Sequence, residues 1–362
     1  MGGNFEQARD FFLRGVAHYG AGELAAAERE FAAALALVPG RASALTNLGA
    51  VRLKLGRPAE AAALLQEALA QEPGNAEALR HRAAALAELG QLEAALASID
   101  EALRVEPANG PAWTLRGSLL RSLGRLPEAG AAYRAAAENG GDSALNRYFL
   151  ASLGGVAAPA HAPREYVQAL FDGYSQEFDA HLVRVLRYRA PERLVQGLGG
   201  ARAASALDLG CGTGLCGPLL RPLAARLDGV DLSAKMVERS RAGGAYDEVV
   251  QADIAEYLLG TPRRYDLVLA ADVFIYVGAL EQVFEGAARV TPPGGRFCFS
   301  VELAGAGQEL VLQPSLRYAH SAGYIRKLAK QSGFEISATG EGPIREDQGL
   351  PIPGLFAWLT RQ

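Results

Sequence analysis

Small, apolar and bulky positions return every 34 residues over the first part of the chain. Gly22, Gly56, Gly90 and Gly124 share one phase, Pro39, Pro73 and Pro107 a second, and Ala27, Ala61, Ala95 and Ala129 a third. Gly15, Gly49, Ala83 and Gly117 form a small-residue phase, and Phe31, Leu65, Ile99 and Tyr133 a bulky one. The pattern predicts pairs of helices. The phased glycine fits the turn inside each pair and the proline the connection that ends its second helix. Small positions let the paired helices cross closely, and the bulky ones are expected to reach the next repeat. Four units near 8–41, 42–75, 76–109 and 110–143 suffice to stack a continuous core. Residues 144–153 read as a capping helix and 154–163, rich in Gly, Ala and Pro, as a linker. Beyond it the pattern changes. Short apolar runs near 204–209, 227–231, 247–251, 265–271, 295–301, 334–339 and 354–360 alternate with helical stretches, which predicts a doubly wound sheet.

Composition narrows the function classes. The 362 residues allow two full cores. The first 150 residues hold 15 of the 36 basic and 17 of the 40 acidic side chains, so both halves are near neutral and a nucleic-acid partner is not expected. Three cysteines with no close pair fit a reducing, cytoplasmic setting. No signal peptide, myristoylation signal or membrane-length apolar run is present, and no cluster of metal-ligand spacing, so neither membrane nor metal is expected.

The 34-residue period resembles the tetratricopeptide repeat. In that family the first helices line a concave face, which here would show Phe12, Val16, Tyr19, Ser43, Thr46, Asn47, Glu77, Arg80, His81, Thr114 and Arg121. Of the family's clamp for a peptide carboxylate only Asn47 matches. The resemblance implies a protein or peptide partner on this face, the alternative being a solvated surface.

The run Leu207-Asp208-Leu209-Gly210-Cys211-Gly212-Thr213-Gly214 ends an apolar strand in an acid and a loop of alternate glycines. It resembles motif I of the class I S-adenosylmethionine (AdoMet) methyltransferases. Glycines allow close backbone approach to a ligand, and Asp208 suits the cationic AdoMet better than a pyrophosphate. Asp231, about 20 residues on, is placed to accept ribose hydroxyls, with an N-cap as its alternative. The resemblance implies that Asp253 meets the adenine amine between Leu232 and Ile254, with an Asp opening a short helix as its alternative, and that Cys211, Met236 and Asp272 join the cofactor contacts. Thr291-Pro292-Pro293-Gly294-Gly295 resembles the family's turn before the fifth strand. Seven strands, the last in a hairpin, also follow from the resemblance.

Residues 166–182 are similar to the helical lid of the tetratricopeptide-repeat methyltransferase family, whose domain order fits as well. Tyr174 is expected to reach the cofactor while Phe171 and Phe178 pack. Acceptor contacts are expected from Tyr166, Tyr276, Glu302, Arg317 and Tyr324, and proton handling from His320, Tyr318 or Asp272, the alternatives being a capped loop with a satisfied histidine at 317–321 and a strand-ending cap at Asp272. The expectation is a multidomain chain: an all-α tetratricopeptide solenoid at 1–153, a linker at 154–163, and an α/β Rossmann-like seven-stranded methyltransferase domain at 164–362. The implied activity is AdoMet-dependent O- or N-methylation of a small-molecule or peptide acceptor, with a non-catalytic, cofactor-binding scaffold as the alternative.

Overall fold

The computed structural model describes residues 2–174, 186–347 and 349–362. It divides into two compact units, Met1–Gly155 and Val156–Gln362.

The first unit is a run of helical hairpins: α1 (Gly2–Gly20) with α2 (Leu24–Leu37), α3 (Ala42–Lys54) with α4 (Pro58–Gln71), α5 (Ala76–Glu88) with α6 (Leu92–Val105), and α7 (Gly110–Ser122) with α8 (Leu126–Glu138). The phased glycine turns each hairpin at φ between 72° and 78°, a region that penalises a Cβ. A Cβ on Gly15, Gly49 or Gly117 would stand 2.7, 2.7 or 2.5 Å from Phe31, Leu65 or Tyr133. The bulky phase therefore fills a notch in its own hairpin, not only the next repeat. Phe31 does both, since it also packs with Leu48 and Val51 of α3. α9 (Ser143–Ser152), capped by Asp142, closes the stack with Phe149 4.9 Å from the Tyr133 ring.

Several side chains expected on the concave face are spent internally. Thr46 is buried, the Asn47 amide donates to the Ser43 carbonyl at 2.9 Å, and Arg121 lies 5.7 Å from the Phe149 ring.

The second unit contains β1 (Ala203–Leu209), β2 (Ala224–Asp231), β3 (Glu248–Gln251), β4 (Leu267–Ala270), β5 (Arg296–Leu303), β6 (Leu310–Leu312), β7 (Tyr318–His320), β8 (Phe334–Asp347) and β9 (Leu350–Arg361). The order β3-β2-β1-β4-β5 is parallel, and the β8–β9 hairpin continues it with β9 antiparallel to β5. β4 is buried at every residue, which is why it reads as an unbroken apolar run. Helices α10 (Arg164–Tyr174), α11 (Ala190–Gln196), α12 (Gly217–Leu220), α13 (Ala234–Ala242), α14 (Ile254–Gly260), α15 (Glu281–Val290) and α16 (Ala322–Gln331) accompany the sheet.

Two strands exceed the expected seven. β6 and β7 pair as a hairpin, and β7 joins β5 in parallel at Glu302 and Leu303. β4 stops at Ala270, opposite Phe299, so β7 takes the edge of β5 that β4 no longer covers. Three residues carry too little alternation to be read as a strand. The stretch read as linker is tied down at its end: Ala162 N–H donates to the Tyr276 carbonyl at 3.1 Å, and Ala279 N–H to the Ala160 carbonyl at 2.7 Å.

Candidate cofactor and acceptor site

β1 ends at Leu209 and the chain turns through Gly210, Gly212 and Gly214 at φ 63°, 55° and 97°. A Cβ on Gly210 would come 2.6 Å from the Val273 side chain, so the loop and the segment after β4 approach to a distance only glycine permits. Asp231, at the end of β2, fastens this loop. Its Oδ2 accepts the Gly212 N–H at 2.9 Å and its Oδ1 the Ser233 N–H at 2.8 Å. Burial raises its pKa above the usual carboxylate value, and these backbone donors pull it back. The N-cap role falls to Ser233, whose Oγ accepts the Met236 N–H at 3.2 Å.

Asp208 is only 1% exposed, and the Tyr246 hydroxyl donates to its Oδ2 at 2.6 Å. Burial pushes its carboxyl up to about 7, against the opposing pull of Tyr246. It stands beside the loop, as expected, and is sealed off from solvent. Tyr246 carries no motif and was not anticipated; only the packing of the turn after α13 brings it here. Cys211 and Cys216 are buried thiols whose pKa burial raises well above the ordinary value, and among the described residues no group of three potential ligands could hold a metal ion.

The expected adenine segment is partly engaged already. Asp253 Oδ1 caps α14, accepting from Ala255 N–H at 2.9 Å and Glu256 N–H at 3.1 Å. Ile254 belongs to the main core and Met236 is fully buried. The Leu232 carbonyl accepts from Gln168 and Gln251, each at 3.2 Å. Gln168 belongs to α10, where Asp172 also takes the Ser233 hydroxyl hydrogen, and the Lys235 ammonium donates to the Asp172 carbonyl at 3.0 Å. The helix thus docks beside the ribose-binding candidate. Tyr166 is half-buried on it, and Phe171 meets the Tyr276 ring edge-on at 5.4 Å. The Tyr174 side chain and Phe178 lie outside the described residues.

At the carboxyl edge of β4 and β5 the sequence reading needs its main correction. His320 was expected as a base, yet it is fully buried in β7, and its Nε2–H is shared between the Val277 and Gly278 carbonyls at 3.1 and 2.7 Å. Burial lowers its pKa to about 4. Tyr318 is equally buried, donating to the Pro159 carbonyl at 2.8 Å, and the Tyr324 hydroxyl accepts the Leu280 N–H at 2.9 Å. These three side chains brace neighbouring loops, Tyr318 and His320 from β7 and Tyr324 from α16, so the segment read as an acceptor candidate has these polar groups taken up by backbone.

Asp272 stands differently. It holds φ 59°, its N–H donates to Ser300 Oγ at 2.9 Å, and its Oδ2 is paired with Arg345. The other arm of Arg345 grips Glu302, whose pKa burial raises. Arg317 pairs with Asp347 at 3.2 Å and hydrogen-bonds Tyr276, whose own pKa burial raises. Arg345 was missed. The apolar run was read only over 334–339, and the strand continues to Asp347, which carries the lone Arg345 inward.

A methyltransferase domain family matches residues 207–299, and two tetratricopeptide-repeat families match 12–76 and 52–119. Malonyl-[acyl-carrier protein] O-methyltransferase of Pseudescherichia vulneris is 32% identical over 144 residues, 40% of this chain and 56% of that protein. Ubiquinone biosynthesis O-methyltransferase of Chelativorans sp. (strain BNC1) is 31% identical over 154 residues, 39% of this chain and 59% of that protein. The chain therefore spans less than two thirds of the curated relatives it matches. Magnesium protoporphyrin IX methyltransferase of Synechocystis PCC 6803, solved with bound SAH, aligns at 20% identity and TM-score 0.44 over 55% of this chain and 99% of that one. The chain thus carries a methyltransferase domain with tetratricopeptide repeats ahead of it.

Proposed function

We propose that the protein is a cytoplasmic AdoMet-dependent methyltransferase acting on oxygen or nitrogen of a small-molecule or peptide acceptor, with the repeat unit capturing substrate or partner. The observation that carries this reading is Asp231. Each of its oxygens accepts one backbone N–H, which orients the carboxylate and leaves lone pairs for a ribose diol. The bare turn at Gly210, Gly212 and Gly214 fits a bulky nucleoside. When bound, AdoMet supplies a methyl group on a sulfonium. The protein's contribution is alignment and water exclusion, which suffice for much of such a displacement. Among the described residues no helix is long and apolar enough to cross a membrane, consistent with this setting.

Calorimetry with AdoMet on wild type and Asp231→Ala tests the assignment. Loss of charge-assisted hydrogen bonds is expected to weaken binding by roughly tenfold or more; unchanged affinity would remove Asp231 from the site. The scaffold alternative draws on the locked His320 and Tyr318, and formation of S-adenosylhomocysteine (AdoHcy) with any acceptor excludes it.

A further inference from the structure

We propose that Asp272, gripped by Arg345 beside Glu302, takes the hydrogen of a hydroxyl- or amine-bearing methyl acceptor, and that this triad disfavours carboxylate acceptors. The proposal rests on the methyltransferase reading and narrows its substrate class.

Three observations converge. The Arg345 side chain is 2% exposed and spends one arm on Asp272 and the other on Glu302, so one guanidinium faces two carboxylates and the cluster is short of one positive charge. The second Asp272 oxygen, Oδ1, is buried and has no donor among the described residues, on a side chain only 9% exposed. An orphaned buried acceptor of this kind is uncommon and costly, so a ligand that supplies a hydrogen is favoured there. Asp272 also precedes Val273, whose side chain closes on Gly210 of the cofactor loop. It therefore sits one residue from the cofactor loop, at the sheet edge where ligands of open α/β folds collect.

The surrounding groups decide the acceptor's charge. Arg317 is committed to Asp347 and Tyr276, and the Tyr188 hydroxyl donates to the Ala271 carbonyl at 3.0 Å. The edge thus offers a spare acceptor atom and cations already paired, the wrong complement for a carboxylate and the right one for O–H or N–H. In the transfer the acceptor's oxygen or nitrogen forms a bond to the methyl carbon as the carbon–sulfur bond of the donor breaks, leaving a thioether. The acceptor's proton passes to Asp272 Oδ1 and then to solvent. Arg345 is a positioning residue: with the φ of 59° and the Ser300 contact, it fixes where that oxygen points.

The test uses the full chain loaded with AdoHcy, which lacks the sulfonium charge, and titrates phenol, benzylamine and benzoate by calorimetry or ligand-observed NMR. Phenol and benzylamine are expected to bind at least tenfold more tightly than benzoate. Asp272→Asn is expected to abolish that preference with AdoHcy affinity within twofold of wild type. Glu302→Gln, which removes one negative charge and keeps the shape, is expected to improve benzoate binding, a change no purely structural role produces. In turnover, Arg345→Lys is expected to lower kcat and shift its pH profile with KM for AdoMet retained. Benzoate binding as well as phenol, or equal behaviour of wild type and Asp272→Asn toward all three probes, overturns the proposal. A loss of AdoHcy affinity in Asp272→Asn reassigns the residue to the cofactor and also overturns it. Failure of the wild type to bind AdoHcy refutes the methyltransferase reading itself.

Discussion

Replacing Asp208 with Asn separates the electrostatic cost of the glycine loop from its shape. The wild-type carboxyl is buried, and its native pKa stands near 7 against an ordinary 3.8. Between those values the native side chain keeps a proton that the unfolded chain has released, so the folded state loses ground as pH rises and the loss is complete above about 7. Asn mimics the protonated form, still accepts the Tyr246 hydrogen, and does not titrate. Any fixed packing difference is the same at every pH, so the slope alone carries the test. At 1.36 kcal/mol per pH unit, the stability of Asp208→Asn relative to wild type is expected to grow by roughly 3 kcal/mol from pH 5 to pH 8. For a unit of this size that corresponds to about 6–12 °C in Tm of the methyltransferase transition. Differential scanning calorimetry of both proteins at pH 5, 6, 7 and 8 measures it. A stability difference that stays flat across this range, or falls with pH, refutes the burial argument. Comparison with the variant is necessary because His320 pulls the wild type the other way: its native pKa is depressed to about 4, so its contribution is lost as pH falls below 6.5.

His320→Gln is expected to cost stability at pH 7.5 through the Val277 and Gly278 contacts, and that cost should shrink by about 2 kcal/mol at pH 5, where the unfolded wild type gains a proton. A pH-independent cost together with a hundredfold fall in kcat would restore His320 as the base. A chain beginning at Val156 should keep AdoMet affinity within twofold while turnover of the native acceptor falls at least tenfold; full turnover removes the capture role from the repeats.

Much of this protein could be read from spacing alone, because some spacings have one physical solution. The 34-residue phases work locally: Gly15, Gly49 and Gly117 meet a bulky side chain sixteen residues on, within one hairpin, so no distant contact is needed. The glycine loop and Asp231 were legible as the ends of two strands, which their pairing brings side by side. Asp272 was visible as an acid ending a strand, but its role depends on a partner 73 residues away. Arg345 points inward because the β8–β9 hairpin lies beside β5, and Tyr246 reaches Asp208 from the turn between α13 and β3. His320 and Tyr318 failed as expectations when a three-residue strand docked on β5 and buried them. Local periodicity and turn chemistry thus determined the two folds and the glycine turn that ends β1. The charges at the acceptor edge were decided by long-range strand pairing, which sets burial and partners and leaves almost no trace in the neighbouring sequence.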